Sequence, residues 1–304
     1  MATITTSTAG GEQLFSPKVV SEIFDKVKGH STLAKLSGAE PLPFSGIDLF
    51  TFSMDGEASI VGEGGNKPAG DAEFGKVTIQ PLKVVYQHRL TDEFIHLAEE
   101  KQLPYMREFT TGFSKKIARA VDIMAFHGVN PADKTASAHI GTNHFDSLVT
   151  ATVTYDSSQP DENIDSAVQV IQTADGDVSG IAMTPGFGGA LGAMKASGTG
   201  LPIYPEYRFG GNPGTFGGLR ADINNTVNFG AANSVGSKDC AIIGDFANAV
   251  RWGYAQQVNF EIIEFGDPDG QGDLKRANQI VLRSEAYVGW GILSPASFVR
   301  IVTT

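Results

Sequence analysis

Alternating apolar and polar residues over positions 48–60 predict a long strand that leads into a glycine-rich turn. Phe50, Phe52 and Met54 point one way, and polar residues separate them. Residues 55–77, DGEASIVGEGGNKPAGDAEFGKV, are rich in glycine and small polar residues and form the tip. Two limbs of about 12 residues, at about 3.3 Å per residue, predict a hairpin about 40 Å long.

The returning limb, KVTIQPLKVVYQHRL, alternates in two phases. Val77 and Ile79 are out of phase with the later apolar positions, so Pro81 predicts a bulge or bend between them. The later apolar face consists of Leu82, Val84, Tyr86, His88 and Leu90. His88 on this face indicates a packing residue.

Helical periodicity surrounds this hairpin. An extended arm (1–15) precedes a helix that begins at Ser16 and ends near Gly29. Thr91 predicts the N-cap of a short helix. The longest apolar stripe runs from about Pro104 to Phe126 and predicts a helix about 33 Å long.

Shorter elements alternate after residue 130. DENIDSAVQVIQ and GALGAMKAS predict helices, whereas GIAMTP, GLPIY and AIIGDF predict strands. The tail, NQIVLRSEAYVGWGILSPASFVRI, predicts strands that turn near Ser284 and again at Pro295. Together these patterns favour an α+β fold.

Composition narrows the functional classes. The chain has 304 residues and a formal net charge of -11, which argues against tight nucleic-acid binding and a polybasic membrane contact. The single cysteine, Cys240, excludes an intrachain disulfide framework. We find no signal peptide and no apolar run of about 18 residues, so we expect a protein that is soluble and cytosolic when made.

Candidate chemistry is sparse. His139 and His144 lack a carboxylate at metal-ligand spacing, so a loop or interface role is favoured. DPDGQGDLKRAN begins like a calcium loop, but Lys275 and Asn278 occupy ligand positions, which favours a solvated turn. No nucleotide-binding or GxSxG motif is present. We therefore predict no catalytic, cofactor-binding or metal residues.

The hairpin instead predicts a subunit interface. An isolated two-stranded hairpin is marginally stable in water, so its projecting tip needs a neighbouring subunit to pack on. The predicted interface residues are the tip charges Glu63, Lys67 and Asp71, together with Phe50 and Phe52, which we expect to anchor the base of the hairpin.

Several stretches, in order, resemble one family. They are EGGNKPAGDAEFGKVTIQPLKVVYQHRLTDEFI, IARAVDIMAFHG, IAMTPGFGGALGAMKASGTGLPIYP, FGGLRADINNTV, AIIGDFANAVRWGY and the closing tail. They resemble the tailed-bacteriophage major capsid proteins of the Hong Kong 97-type fold, from about Val19 onward. The resemblance implies four parts: an N-terminal arm and helix (1–44), an extended β-hairpin loop (45–80), a peripheral domain with a long spine helix (81–129 and 255–295) and an axial domain (130–254 and 296–304).

The resemblance also implies a structural, non-enzymatic role. Copies of the chain would form pentamers and hexamers of an icosahedral virion shell around double-stranded DNA, without sequence-specific binding, and would assemble in the bacterial host cytoplasm. A portal and a decoration protein are implied partners. Because the first helix begins near residue 16, a separate scaffolding protein is favoured over a cleaved leader.

Some family members crosslink a loop lysine to an asparagine near a glutamate. Lys67, Asn278 and Glu285 match in residue type, whereas an ordinary salt bridge of Lys67 across subunits is the alternative. Two other interpretations remain open from sequence. One is an encapsulin-like shell that encloses a cargo enzyme, and the other is a soluble α/β enzyme with a glycine-rich active-site loop.

Overall fold

The computed structural model describes residues 30–56, 58–94, 99–229, 238–255 and 259–304. The predicted arm (1–15) and the predicted helix of residues 16–29 lie outside these ranges. Within them the helices are α1 (Thr32–Leu36), α2 (Glu99–His127), α3 (Phe145–Leu148), α4 (Pro160–Thr173) and α5 (Pro185–Ala193).

The strands are distributed over three sheets. They are β1 (Gly38–Pro41), β2 (Ile47–Asp55), β3 (Asp71–Ile79), β4 (Leu82–Thr91), β5 (Thr152–Thr154), β6 (Gly180–Met183), β7 (Thr215–Phe216), β8 (Leu219–Ile223), β9 (Asp239–Gly244), β10 (Val250–Tyr254), β11 (Asn259–Ile263), β12 (Gln279–Ile292) and β13 (Phe298–Val302). No helix of the described residues is long and apolar enough to cross a membrane.

The first sheet is built around β12. Its neighbours are β10, β11 and β4, all antiparallel to it, and β1 joins β10 in parallel. The predicted apolar face of β4 packs on helix α2, where His88 lies against the Phe109 ring at 5.1 Å. Helix α2 buries the stripe that its 3.6-residue period predicts, including Phe113, Ile117 and Val121.

The second sheet has the order β5-β13-β9-β6-β8-β7. Helix α4 covers it with Ile164, Ala167 and Ile171, which share a core with Ile243 of β9 and Ile301 of β13. The periodicity of DENIDSAVQVIQ predicted this helix. The all-buried strand β6 is also as predicted, because GIAM carries no polar side chain.

Four element predictions are wrong. Strand β12 runs straight through Ser284, which is buried because Tyr86 pairs with it on one side and Phe260 on the other. GLPIY forms only an isolated bridge between Lys195 and Pro202. Helix α2 begins by Glu99 and continues through Pro104, which withholds one backbone hydrogen bond near the start of a 29-residue helix.

The helix predicted to begin at Thr91 also differs. Thr91 still belongs to β4, and a short 3-10 helix follows at Asp92–Phe94. Residues 95–98 lie outside the described ranges. Helix α2 therefore extends for about 43 Å at 1.5 Å per residue, which is longer than the predicted 33 Å.

Strands β2 and β3 form the predicted antiparallel hairpin as a sheet of their own. Each strand has nine residues, so the paired part extends for about 30 Å, shorter than predicted. The predicted bend at Pro81 is confirmed, because β3 ends at Ile79 and β4 joins a different sheet.

Two glycines of β12 form the seat of the hairpin. A Cβ atom added to Gly291 would lie 2.8 Å from Cγ1 of Ile79 and 3.2 Å from Cγ1 of Val77. One added to Gly289 would lie 2.8 Å from a Leu42 methyl group. The hairpin therefore packs on its own subunit only because these two positions lack side chains.

We expect Gly291→Val to lower the free energy of unfolding by about 1–3 kcal/mol, because the added side chain overpacks the seat against Ile79. Urea unfolding measures this loss. The matched control is Gly189→Ala in helix α5, where an added Cβ has nothing within 4 Å and alanine favours the helix. Equal stability of the two variants would contradict the conclusion that the hairpin packs closely on Gly291.

Candidate subunit interface

The outward face of the hairpin carries an uncovered aromatic cluster. Phe50, Phe52 and Phe74 are 64%, 61% and 70% exposed. The Phe74 ring lies 5.4 Å from that of Phe50 and 6.4 Å from that of Phe52. Met54 continues the same face toward the tip and is also exposed. Because fully burying a phenylalanine contributes about 1.5–3 kcal/mol, this face suits a partner surface.

The base of the hairpin is anchored differently from the prediction. Phe50 and Phe52 were expected to hold the base, but Val77 and Ile79 do so from the opposite face. Ile79 is buried, whereas both phenylalanines remain exposed. Side chains alternate across a strand, so the face with Val77 and Ile79 can pack on β12 while the face with Phe50 and Phe52 stays exposed.

The predicted tip charges lie where the sequence placed them. Glu63, Lys67 and Asp71 are exposed, and none forms an ion pair with another described residue. Asp71 accepts a hydrogen bond only from the neighbouring Ala72 N–H, at 2.9 Å. The tip therefore presents both signs of charge at the far end of the aromatic face.

The two remaining residues of the predicted crosslink lie in the first sheet. Asn278 has a left-handed φ of 54° and closes the turn before β12. Glu285 forms an ion pair with Lys83 at 2.7 Å across β12 and β4. Glu285 thus has a partner in its own subunit, and an ordinary salt bridge of Lys67 across subunits stays the favoured alternative to a crosslink.

Helix α1 is held to helix α2 by a buried carboxylate. Asp122 accepts hydrogen bonds from the Ser31 hydroxyl at 2.5 Å and from the N–H groups of Thr32 at 2.9 Å and Leu33 at 3.1 Å. Thr226 donates a fourth, at 2.9 Å. Burial raises the pKa of Asp122 to about 6, although these donors favour the charged form.

A second carboxylate holds α1 to the second sheet. Asp222 of β8 accepts hydrogen bonds from Lys35 Nζ and Thr32 Oγ1, both at 2.6 Å, and from Asn212 at 3.0 Å. Helix α1 is therefore fixed at both sides. The chain before residue 30 leaves from this fixed point between helix α2 and the second sheet.

The predicted turn at residues 266–278 is ordered by an arginine. Arg89 donates hydrogen bonds to both carboxylate oxygens of Asp269, to Asp267 at 3.3 Å, to the Gly272 carbonyl at 2.8 Å and to Gln279 at 3.0 Å. Its guanidinium holds the pKa of Asp269 down at about 2. A side-chain cation thus occupies the oxygen-lined centre that a calcium ion would need.

A buried ion network joins helix α2 to the second sheet. Arg300 donates to Asp239 Oδ1 from Nε at 3.0 Å and from Nη2 at 2.7 Å. Nη2 also lies 3.1 Å from Asp146 Oδ1. His127 lies between Asp146 Oδ2, at 3.0 Å, and the Thr226 carbonyl, at 2.8 Å.

This network resembles a metal site only in composition. His127, Asp146 and Asp239 each place one potential ligand atom within 4.8 Å of the others. Arg300 already brings a fixed positive charge to both carboxylates, so a divalent ion would meet electrostatic repulsion there. His139 and His144, for which the sequence favoured a loop or interface role, are not part of this group, and the His144 ring packs on Gly128.

Sequence reasoning missed Phe74 and the buried carboxylates. Phe74 lies directly opposite Phe52 in the hairpin register, so pairing the two strands by length would have found it. No sequence signal identifies Asp122, Asp222 or Asp239 as buried, because each has a partner that lies about 60 to 190 residues away along the chain.

Comparisons with known proteins agree with this architecture. The sequence matches the Phage capsid family over residues 11–303. A solved structure from Mycobacterium phage Ogopogo is 31% identical, with a TM-score of 0.76 over 90% of this chain and 92% of that chain. One from Gordonia phage Cozz is 25% identical, with a TM-score of 0.72 over 90% and 87%. A comparison with curated proteins finds no match.

A more distant structure shares the fold. It is titled as the capsid of a native GTA particle, is 13% identical and has a TM-score of 0.60, with both chains covered in full. The chain therefore belongs to the phage capsid family, and the predicted α+β, Hong Kong 97-type fold is confirmed. Its function is that of a major capsid protein, the structural subunit of a virion shell.

Proposed function

We propose that copies of this chain assemble as pentamers and hexamers into an icosahedral shell that encloses double-stranded DNA. The observation that carries this proposal is the uncovered aromatic face of the hairpin, Phe50, Phe52 and Phe74. A neighbouring copy of the chain covers this face, and the tip charges Glu63, Lys67 and Asp71 pair with charges of that copy.

Packing energetics favour burial of the outward hairpin face against a neighbouring subunit rather than against the core of its own subunit. The seat on Gly289 and Gly291 uses only the base of β3, and the outward face points away from it. Three exposed rings gain several kcal/mol when covered, at about 25 cal/mol per Å² of apolar surface. Repeated around a closed shell, this contact recurs once per subunit and holds adjacent subunits in register.

We propose the partners that the resemblance to this family implies. A separate scaffolding protein guides closure, a portal occupies one vertex, and a decoration protein binds outside, with assembly in the bacterial host cytoplasm. The net charge of -11 supports a lining that binds DNA weakly, because phosphate binding needs unpaired lysine and arginine. Tight DNA binding by isolated shells at physiological salt would contradict this lining.

We further propose that the chain has no enzymatic activity. Its buried carboxylates are engaged with hydroxyl, amide and guanidinium donors that fix elements of the fold. The phage sources of the 31% and 25% identical structures favour DNA as cargo over the enzyme cargo of an encapsulin-like shell. An adjacent peroxidase or ferritin-like gene would reverse that preference, whereas terminase and portal genes would support it.

Electron microscopy of the expressed full chain tests the assembly, after light scattering has measured its size. We expect closed shells, or rings of five and six subunits, because the hairpin faces can be buried only between copies. A scaffolding protein is supplied in a second arm of the experiment. A monodisperse monomer or dimer in both arms would overturn the proposal.

A further inference from the structure

The buried ion network contains two carboxylate oxygens without a donor. Asp146 Oδ1 and Asp239 Oδ2 are buried and receive no hydrogen bond from any described residue. Arg300 lies 3.1 Å from Asp146 Oδ1, but the contact is not aligned as a hydrogen bond. Each of the two carboxyl groups places one oxygen within 4.8 Å of the other and of a His127 ring nitrogen. An unsatisfied buried acceptor is costly, and two side by side also repel each other.

We propose that Asp146 and Asp239 share one proton and form a carboxyl–carboxylate pair that fastens the second sheet to the end of helix α2. A proton on Asp239 Oδ2 turns that oxygen into a donor toward Asp146 Oδ1. One proton then satisfies both atoms at once. The remaining oxygens keep their present partners, because Asp239 Oδ1 faces Arg300 and Asp146 Oδ2 faces His127.

The charged surroundings agree with one bound proton. Helix α2 contributes His127, the segment entering α3 contributes His144 and Asp146, β13 contributes Arg300, and β9 contributes Cys240 beside Asp239. Burial raises the pKa of Asp239 to about 8, Arg300 opposes this shift, and the neighbouring negative charge of Asp146 adds to it. Burial also lowers the pKa of His144, so this ring brings no competing charge at neutral pH.

The shared proton has a structural consequence. Asp146 follows the His144 turn, and Asp239 begins the strand that lies between β13 and β6. Loss of the proton places two facing charges where helix α2, helix α3, β9 and β13 meet. The contact between these elements therefore depends on the bound proton, and it weakens as the pH rises.

The substitution Asp239→Asn tests the shared proton. The amide oxygen keeps the contact with Arg300, and the amide N–H₂ replaces the bound proton as donor to Asp146. The folded protein holds the proton above the ordinary pKa of 3.8, whereas the unfolded chain releases it, so wild-type stability falls as the pH rises from about 4 to about 8. We expect equal melting temperatures at pH 5 and a variant that melts several degrees higher at pH 9.

The matched control is Asp222→Asn. Asp222 is equally buried, but it forms an ion pair with Lys35 at 2.6 Å, and a neutral amide in its place loses that ion pair whichever way it is turned. We expect this variant to melt lower than wild type at every pH. An Asp239→Asn variant that is destabilised to the same extent at pH 5 would overturn the shared proton.

Infrared spectroscopy gives a second measurement on the full-length protein. We expect a protonated-carboxyl carbonyl band at pH 7 that disappears in Asp239→Asn and persists in Asp222→Asn. Zn²⁺ that raises the melting temperature of wild type, but not of Asp239→Asn, would overturn the proposal in favour of a bound cation. None of these readouts depends on shell assembly, so failure here and failure of the proposed function are distinguishable.

Discussion

Deletion of residues 62–70 is expected to leave a folded subunit that no longer forms closed shells. The deleted residues are exposed and lie beyond the paired strands, so no core contact is lost. Residues 56–61 remain to close the hairpin, which is enough for a short loop. The deletion removes Glu63 and Lys67, two of the three tip charges, together with the reach toward a neighbour. Electron microscopy and circular dichroism of the same sample measure assembly and folding.

The aromatic face provides a finer version of this experiment. Phe52→Ser combined with Phe74→Ser leaves the seat on β12 intact and is expected to abolish or strongly reduce particle yield. The control is Phe265→Ser, which removes a ring of similar exposure, 69%, outside the hairpin. Wild-type particle yield from the deletion, or equal loss from the control, would show that the hairpin is not the contact that closes the shell.

Replacement of Asp122 by alanine is expected to be the most destabilising single change, at about 3–5 kcal/mol. Four donors, from Ser31, Thr32, Leu33 and Thr226, would lose their acceptor inside the protein, and each unsatisfied group costs about 1–3 kcal/mol before relaxation. Helix α1 would detach from helix α2. Urea unfolding gives the loss in free energy.

A surface aspartate serves as the control for this change. Asp165→Ala lies on the exposed side of helix α4, and the expected change is within about 0.5 kcal/mol. We also expect hydrogen exchange to accelerate at residues 32–36 in Asp122→Ala and to remain unchanged there in Asp165→Ala. Unaltered protection of α1 in Asp122→Ala would show that this carboxylate does not hold the helix.

The sequence correctly predicted those elements whose hydrophobic periodicity fits only one type of secondary structure. Strand β4 alternates over ten residues and helix α2 repeats its apolar stripe over many turns, so the faces through which they pack on each other were identified correctly. The bend at Pro81 followed from a change of phase. GLPIY failed because its apolar residues do not lie in a sheet: Leu201 and Ile203 are exposed.

The interface was predictable in part. Phe50 and Phe52 were identified from alternation, but the choice of face needed β12, whose Gly289 and Gly291 seat Val77 and Ile79 instead. The burial of the aspartates could not be predicted from the sequence, for a different reason. An aspartate in a sequence is expected to be exposed to solvent. Its burial becomes evident only when the structure shows donors from distant parts of the chain, such as Arg300 for Asp239.

Arg89 gives the loop at residues 266–278 a property that a calcium loop lacks. A bound ion leaves when its concentration falls, whereas a guanidinium is part of the chain and is charged at every pH the particle meets. The loop therefore stays formed in chelating or dilute media, and its shape needs no supply of metal from the surroundings.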